Sequence, residues 1–125
     1  MIVLDASALL AYLNKEKGGL LVEEILPNAI ISTVNWCEVV QKLRSKSILY
    51  QEIYIRLEII GLGFIPFNKE YAEKAGELWQ ITSPFGLSLG DRACLATGLV
   101  EKMPVMTADK IWQELSLPIE IKCIR

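Results

Sequence analysis

Five short β-rich runs, separated by segments with helical character, constrain the fold of this chain most. The runs lie at residues 1–4, 29–32, 64–67, 104–107 and 120–124. Strands that alternate with helices are typical of an α/β fold with a parallel sheet. Because the chain has 125 residues and contains no linker or repeat, we expect one domain over residues 1–125.

The segments between these runs favour helices, most clearly at 33–46, where Val34, Cys37, Val40 and Leu43 recur at helical spacing. Helices are predicted at 6–14, 20–26, 33–46, 48–60, 69–82 and 88–102, with a short one ending near residue 115. Pro66 indicates an edge position for its strand. Right-handed crossovers bring the carboxyl ends of parallel strands to one edge, where ligands bind in open α/β sheets.

Composition excludes several classes of protein. The chain is 52% hydrophobic and 22% charged, which is enough for a sizeable core, and its net charge of −2 argues against a generally basic nucleic-acid-binding surface. It contains no His, which excludes His-based general bases, His-dependent nucleophiles and the usual zinc sites. An N-terminal signal peptide and a membrane span are not expected, because the first residues lack basic side chains and no apolar stretch reaches 18 residues.

The three cysteines, an odd number without a CxxC pair, argue against a disulfide framework and favour a reducing cytoplasm. Cys37, Cys94 and Cys123 each lie in an apolar stretch, so we expect them to pack as small core residues.

Four acidic residues occupy positions that a parallel sheet would bring together. Asp5 follows the first strand, Asp109 follows the strand at 104–107, Asp91 lies in the first turn of a helix, and Glu38 lies about one turn into another. We expect all four at the carboxyl edge of the sheet. Carboxylates without His or Cys partners suit a hard divalent cation such as Mg²⁺ or Mn²⁺. Such an ion can activate water and stabilise an in-line phosphoryl displacement, which points to phosphodiester hydrolysis.

Each acid also has a structural interpretation. Asp91 forms a capping box with Ser88 in this interpretation, Asp109 caps the next helix, and Glu38 pairs with Lys42 one turn away. Asp5 is the hardest to explain structurally, since it interrupts an apolar run and is not an obvious cap.

The residues other than these four acids have a net positive charge. Setting aside four carboxylates from a net charge of −2 leaves +2. Basic residues near the acidic segments would then form a rim for a phosphate backbone, although scattered cations are more often solvated surface. They are Lys15, Lys17, Lys42, Arg44, Lys46, Arg92 and Lys110.

The order and spacing of four segments resemble the VapC-type PIN-domain ribonucleases over essentially the whole chain. These segments are MIVLDASALLAYL at 1–13, ISTVNWCEVV at 31–40, LSLGDRACLA at 87–96 and VMTAD at 105–109. The run SLGDRACLA is the most specific of them. Trp112 stands where many relatives carry a Phe, a change expected to be neutral for chemistry.

The resemblance implies a three-layer α/β/α fold with a mostly parallel sheet, and a Mg²⁺ or Mn²⁺ site made by Asp5, Glu38, Asp91 and Asp109. It further implies cleavage of RNA and neutralisation by a cognate antitoxin. Ser7 and Thr107 match small hydroxyl positions that orient carboxylates or water, and Asn35 matches a polar position near the site.

A homodimer is also expected, from the high apolar content and the resemblance, with the apolar helices between Leu20 and Ile60 as its surface. Two alternatives remain open. One is a PIN-like domain that binds RNA or an antitoxin without cutting, and the other is a different Mg²⁺-dependent phosphoryl hydrolase. A receiver domain or a DxD phosphatase is disfavoured, because Asp5 is followed by Ala6 and Ser7.

Overall fold

A five-stranded, all-parallel sheet forms the centre of the computed structural model, which describes all 125 residues. The strands lie in the order β3-β2-β1-β4-β5. They are β1 (Ile2–Leu4), β2 (Ala29–Ser32), β3 (Gly63–Ile65), β4 (Val105–Thr107) and β5 (Ile121–Cys123). The parallel α/β class expected from the alternation is confirmed. The edge position of the third strand is also confirmed, with Pro66 directly after it.

Seven α-helices connect the strands. They are α1 (Ala6–Leu13), α2 (Gly19–Ile25), α3 (Thr33–Ser45), α4 (Tyr50–Ile60), α5 (Lys69–Glu77), α6 (Trp79–Thr82) and α7 (Leu89–Glu101). Short 3-10 helices cover Leu26–Asn28, Ser83–Phe85 and Lys110–Glu114. None of the helices combines the length and the apolar character needed to cross a membrane.

Two apolar cores lie on the two faces of the sheet. Successive strand residues point to opposite faces, so Leu4 and Ile31 belong to one core, while Val3, Ile30 and Val105 belong to the other. Helices α1 to α4 contribute to the first core, and α5 and α7 contribute to the second. The result is the three-layer α/β/α arrangement that the family resemblance implied.

Three local features differ from the sequence predictions. The helix expected at 48–60 begins at Tyr50, because Ser47 has a φ of 58° and the chain turns before it. The helix expected at 69–82 divides at Leu78 into α5 and α6. All three cysteines are free, but only Cys94 is buried, and the prediction of core packing is wrong for the exposed Cys37.

Candidate functional site

Asp5 is the only residue between β1 and α1, and it is almost completely buried, with 4% of its surface exposed. Its side chain caps α1 by accepting a hydrogen bond from the Ala8 backbone N–H at 2.8 Å. The expectation that Asp5 is not a helix cap is therefore wrong. The cap was missed because the helix begins immediately after the strand, without the loop that normally marks a capping residue.

Two hydroxyl groups complete the surroundings of the Asp5 carboxylate. Ser7 donates to Oδ1 at 2.7 Å, and Thr107 donates to Oδ2 at 2.6 Å. Burial raises the pKa of Asp5 from its ordinary 3.8 to about 6, although the hydrogen bonds from Thr107, Ala8 and Ser7 oppose the rise; the charge of Asp91 adds to it. A carboxylate kept buried beside another carboxylate is costly for the fold, and a bound cation would remove that cost.

The same hydroxyls connect Asp5 to the end of β4. The Ala108 backbone N–H donates to Ser7 Oγ at 2.9 Å, and the Asp109 backbone N–H donates to Thr107 Oγ1 at 3.1 Å. The two residues expected to orient carboxylates thus lie in direct contact with Asp5 and hold the β4 loop against it.

Glu38 lies on α3 and is positioned by Asn35, one turn earlier. Asn35 is buried, and its side-chain NH₂ group donates to Glu38 Oε1 at 2.8 Å and to the Gly90 carbonyl oxygen at 2.9 Å. No ion pair forms between Glu38 and Lys42. The close approach of Gly90 to this carboxylate was not anticipated, since sequence gives no sign of which residues face each other across two helices.

Asp91, half-buried in the first turn of α7, has the capping-box geometry expected from sequence. Its backbone N–H donates to Ser88 Oγ at 3.2 Å, while its Oδ2 accepts from the Ser88 backbone N–H at 2.9 Å. Oδ1 has no hydrogen bond within the protein. The cap therefore occupies one oxygen of the carboxylate and leaves the other for a ligand.

Asp109 is exposed after β4, and its Oδ1 accepts from the Ile111 backbone N–H at 3.1 Å. Its side chain caps the 3-10 helix at Lys110–Glu114, as the structural interpretation proposed. Of the four acids, Asp109 alone does not line the cleft described next.

A cleft of about 540 Å³ brings together Asp5, Glu38 and Asp91. Burial raises the pKa of the Cys94 thiol, and the charges of Asp5, Asp91 and Glu38 raise it further. The remaining wall comes from α1 and α3, and its residues are Ala6, Ser7, Leu10, Gln41, Lys42 and Ser45. Sequence analysis missed Gln41 and Ser45, although they recur three and seven residues after Glu38, which puts them on the same face of α3.

The oxygen-rich lining fits a hard divalent cation. The structure places no three acidic side chains so as to ligate one ion together. A Mg²⁺ site does not require three, because this ion keeps several of its waters and is commonly held by one or two protein carboxylates. The residues present therefore fit Mg²⁺ or Mn²⁺, and Asp5 and the free oxygen of Asp91 are candidates for direct contact.

A larger groove of about 960 Å³ lies between α4 and the α1–α2 segment and contains none of the four acids discussed above. Leu20, Leu21, Ile53 and Ile60 are among its apolar lining residues. Lys15 and Lys17 belong to this groove rather than to the acidic cleft, and of the seven proposed rim cations only Lys42 lines that cleft. The groove suits an apolar partner surface better than a phosphodiester.

A model of the PIN domain family matches residues 2–117 of this chain. Among solved structures, a toxin–antitoxin complex from Klebsiella pneumoniae has 22% identity and a TM-score of 0.70, and the match covers 97% of this chain and 100% of that one. VapBC2 from Rickettsia felis bound to a promoter DNA fragment has 19% identity and a TM-score of 0.71, with complete coverage of both chains. DNA-bound VapBC from Salmonella typhimurium has 14% identity, a TM-score of 0.73, and coverage of 99% and 98%. No protein with a curated description matches the chain.

Proposed function

Because this chain belongs to the PIN domain family, we propose that it is an endoribonuclease that depends on Mg²⁺ or Mn²⁺ and acts as the toxin of a VapBC-type toxin–antitoxin pair. The observation that carries the proposal is the buried Asp5 carboxylate, which faces Asp91 and Glu38 across one cleft. Such a cluster weakens the fold unless a cation binds it.

Asp5 and Asp91 hold the ion in this proposal, with Glu38 as a third acidic group at its margin. When bound, the ion supplies the positive charge that attracts and polarises a phosphodiester. Ser7 and Thr107 hold Asp5 in one orientation, and Asn35 does the same for Glu38. Asp109, which the family resemblance assigned to the same set, follows β4 and does not line the cleft, so it has no direct contact with the ion in this proposal.

The substrate is proposed to be RNA that passes along α3. Lys42 lies on the cleft wall with Gln41 and Ser45, one to two turns beyond Glu38. A lysine at this distance from the acids can contact a neighbouring phosphate while the scissile phosphate lies near the ion. The amide and hydroxyl beside it can hydrogen-bond to sugar or base edges.

A cognate antitoxin is the proposed partner, since the structural neighbours are complexes of toxins with antitoxins. An amphipathic helix of the antitoxin would fill the apolar groove at α2 and α4. Helix α1 joins the two concavities, because Leu10 lines the cleft and Leu13 lines the groove, about 4.5 Å apart along the helix axis. A tail leaving the groove can therefore reach the acids, where an Arg would pair with two carboxylates.

A homodimer remains part of the proposal, with a different surface from the one that sequence analysis preferred. Several apolar residues between Leu20 and Ile60, among them Leu21, Ile53 and Leu57, line a groove whose concave shape suits a helix of a partner. A separate set of exposed apolar side chains is available for the dimer, namely Trp79, Ile81, Phe85 and Leu89. The cytoplasm, where RNA is present, is the proposed location.

The test of the activity is cleavage of single-stranded RNA by the purified chain with Mn²⁺ or Mg²⁺. We expect cleavage with either ion, none in excess EDTA, recovery after the ion is restored, and none from Asp91→Asn. Cleavage that persists in EDTA would refute the role of the metal. RNA binding without cleavage in Mn²⁺ would instead favour a non-cleaving domain, and hydrolysis of phosphomonoesters alone would favour a different phosphoryl hydrolase.

A further inference from the structure

One buried amide connects the two helices that carry Glu38 and Asp91. Asn35 on α3 has only 1% of its surface exposed, and its NH₂ group donates both to Glu38 Oε1 and to the carbonyl oxygen of Gly90. Gly90 directly precedes Asp91 in the first turn of α7. The position of the Glu38 carboxylate is therefore set relative to the helix that carries Asp91.

The chemistry of the two acceptors determines the orientation of this amide. A carboxylate oxygen and a carbonyl oxygen can only accept, so the Asn35 NH₂ must face both of them. The Asn35 Oδ1 consequently points elsewhere and is buried without a hydrogen-bond partner in the protein. A buried unpaired oxygen destabilises the fold, which indicates that the two donated bonds are the contacts for which Asn35 is suited.

Gly90 contributes by having no side chain. A Cβ at this position would lie 2.5 Å from both oxygens of Glu38, so any larger residue must displace that carboxylate. Glycine is otherwise unfavourable within a helix. The backbone of α7 and the amide of Asn35 thus enclose the Glu38 carboxylate from two sides.

We propose that Asn35 and Gly90, together called the Asn35–Gly90 notch, are positioning residues that fix the Glu38 carboxylate beside Asp91. The inference deepens the proposed function and rests on it for the roles of metal and RNA. Neither residue touches the substrate in this proposal. Both act through Glu38, so their effects must disappear when Glu38 is absent.

The experiment compares Asn35→Ala and Gly90→Ala, each in the wild type and in a Glu38→Ala background. Gly76→Ala is the matched control, because Gly76 also lies within a helix and a Cβ there meets no atom within 4 Å. Three quantities are measured: the affinity for Mn²⁺ by electron paramagnetic resonance, kcat/KM for RNA cleavage, and the unfolding equilibrium in EDTA. Gly90→Ala tests the notch even where Asn35→Ala fails to fold, since the three atoms nearest the new methyl group all belong to the end of the flexible Glu38 side chain.

We expect each notch variant to weaken Mn²⁺ binding about tenfold and to lower kcat/KM by about tenfold to a hundredfold, as for other groups that orient metal ligands. In the Glu38→Ala background, the same changes should alter Mn²⁺ affinity and kcat/KM by no more than about twofold, which is the accuracy with which separate effects add. Gly76→Ala should bind Mn²⁺ and cleave RNA as wild type does, and it should be slightly more stable because Ala replaces Gly within a helix. The notch is refuted if Gly90→Ala matches Gly76→Ala in Mn²⁺ affinity, or if the notch variants lose as much without Glu38 as with it.

The unfolding measurement separates failure of this inference from failure of the proposed function. In EDTA, the Asn35→Ala and Glu38→Ala changes should be coupled, with their combined effect on the unfolding constant differing about tenfold from the product of the single effects. A wild type that neither binds Mn²⁺ nor cleaves RNA would overturn the proposed function, while this coupling would still decide whether Asn35 holds Glu38. A combined effect within about twofold of the product of the single effects would overturn the notch.

Discussion

At the level of single residues, Asp5 combines contacts that favour its charge with a burial that opposes it. Three donors satisfy the carboxylate, yet burial raises its pKa from 3.8 to about 6. Because the pKa is higher in the folded state, the stabilising contribution is full below pH 3.8 and is lost as the pH rises through about 6. The difference of about two pKa units corresponds to roughly 3 kcal/mol, so metal-free protein should be less stable at pH 7.5 than at pH 4 through this group.

The variant Asp5→Asn isolates this effect, because Asn is as good a helix cap as Asp and is neutral at every pH. In EDTA at pH 7.5 we expect it to melt a few degrees above wild type, a gain on the order of 1–2 kcal/mol after the poorer contact with Thr107 is included. The gain should vanish below pH 4, where wild-type Asp5 is also neutral. Added Mg²⁺ should stabilise wild type more than the variant, and RNA cleavage should be lost.

Differential scanning fluorimetry of both proteins at pH 4 to 8, with EDTA or with Mg²⁺, measures these differences. Other acids titrate in both proteins, so the difference between the two melting temperatures reports Asp5 alone. A variant that melts below wild type at pH 7.5 in EDTA would show that the fold requires the charge of Asp5 for its three hydrogen bonds.

Contacts between individual side chains were the features least predictable from sequence. It identified Ser7, Thr107 and Asn35 from the family resemblance, but the partners of these residues depend on side-chain packing between distant segments. Asp109 shows a related limit, because sequence offered both a place in the site and a helix cap for it and could not decide between them, whereas the structure shows the cap. Cys37 was assigned to the core from its apolar neighbours, whereas the face of α3 that carries it is turned to solvent.

At the level of secondary structure, the N-terminus of α7 supports both the fold and the site. Ser88 caps the helix and stabilises it, and Asp91 completes the capping box with one carboxylate oxygen. We expect Ser88→Ala to lower the free energy of unfolding by about 1 kcal/mol while RNA cleavage stays within about threefold of wild type, since the bond from the Ser88 backbone to Asp91 does not involve the hydroxyl.

Asp91→Asn should have the opposite pattern, with little effect on stability and a large effect on RNA cleavage. Its amide oxygen can still accept from the Ser88 N–H, and the loss of charge near a helix N-terminus costs about 1 kcal/mol or less. Cleavage should fall at least about a hundredfold, because one of the two residues nearest the ion is neutralised. Chemical denaturation and RNA cleavage, measured on both variants, decide between the roles. If Ser88→Ala loses as much activity as Asp91→Asn, the capping box itself is required for catalysis.

The order of strands and helices was predictable because each apolar run is short and is bounded by residues that end it. Alternation alone required parallel strands, and parallel strands required one shared carboxyl edge. The start of α4 at Tyr50 and the division at Leu78 were not predictable, since the predicted helical segments run through both positions. Ser47 adopts a left-handed conformation between α3 and α4, and neither boundary follows from local helix preference alone.

For the molecule as a whole, we propose that two sets of exposed apolar residues bind two different partners. Leu20, 78% exposed, belongs to the groove proposed for the antitoxin, and Trp79, 57% exposed, belongs to the surface proposed for the dimer. Both side chains are largely exposed, so an Asp at either position should leave the fold intact. The two substitutions are therefore matched in chemistry and differ in the surface that they disrupt.

We expect wild type and Leu20→Asp to be dimers in light scattering at micromolar concentrations, and Trp79→Asp to be a monomer. A buried carboxylate without a partner opposes association strongly, because its desolvation is not compensated across an apolar interface. Both variants should retain the wild-type circular dichroism spectrum, which excludes unfolding as the cause of any change. The opposite result, a monomer only for Leu20→Asp, would place the dimer on α2 and α4 as the sequence first indicated, and the antitoxin would then need a surface other than the groove.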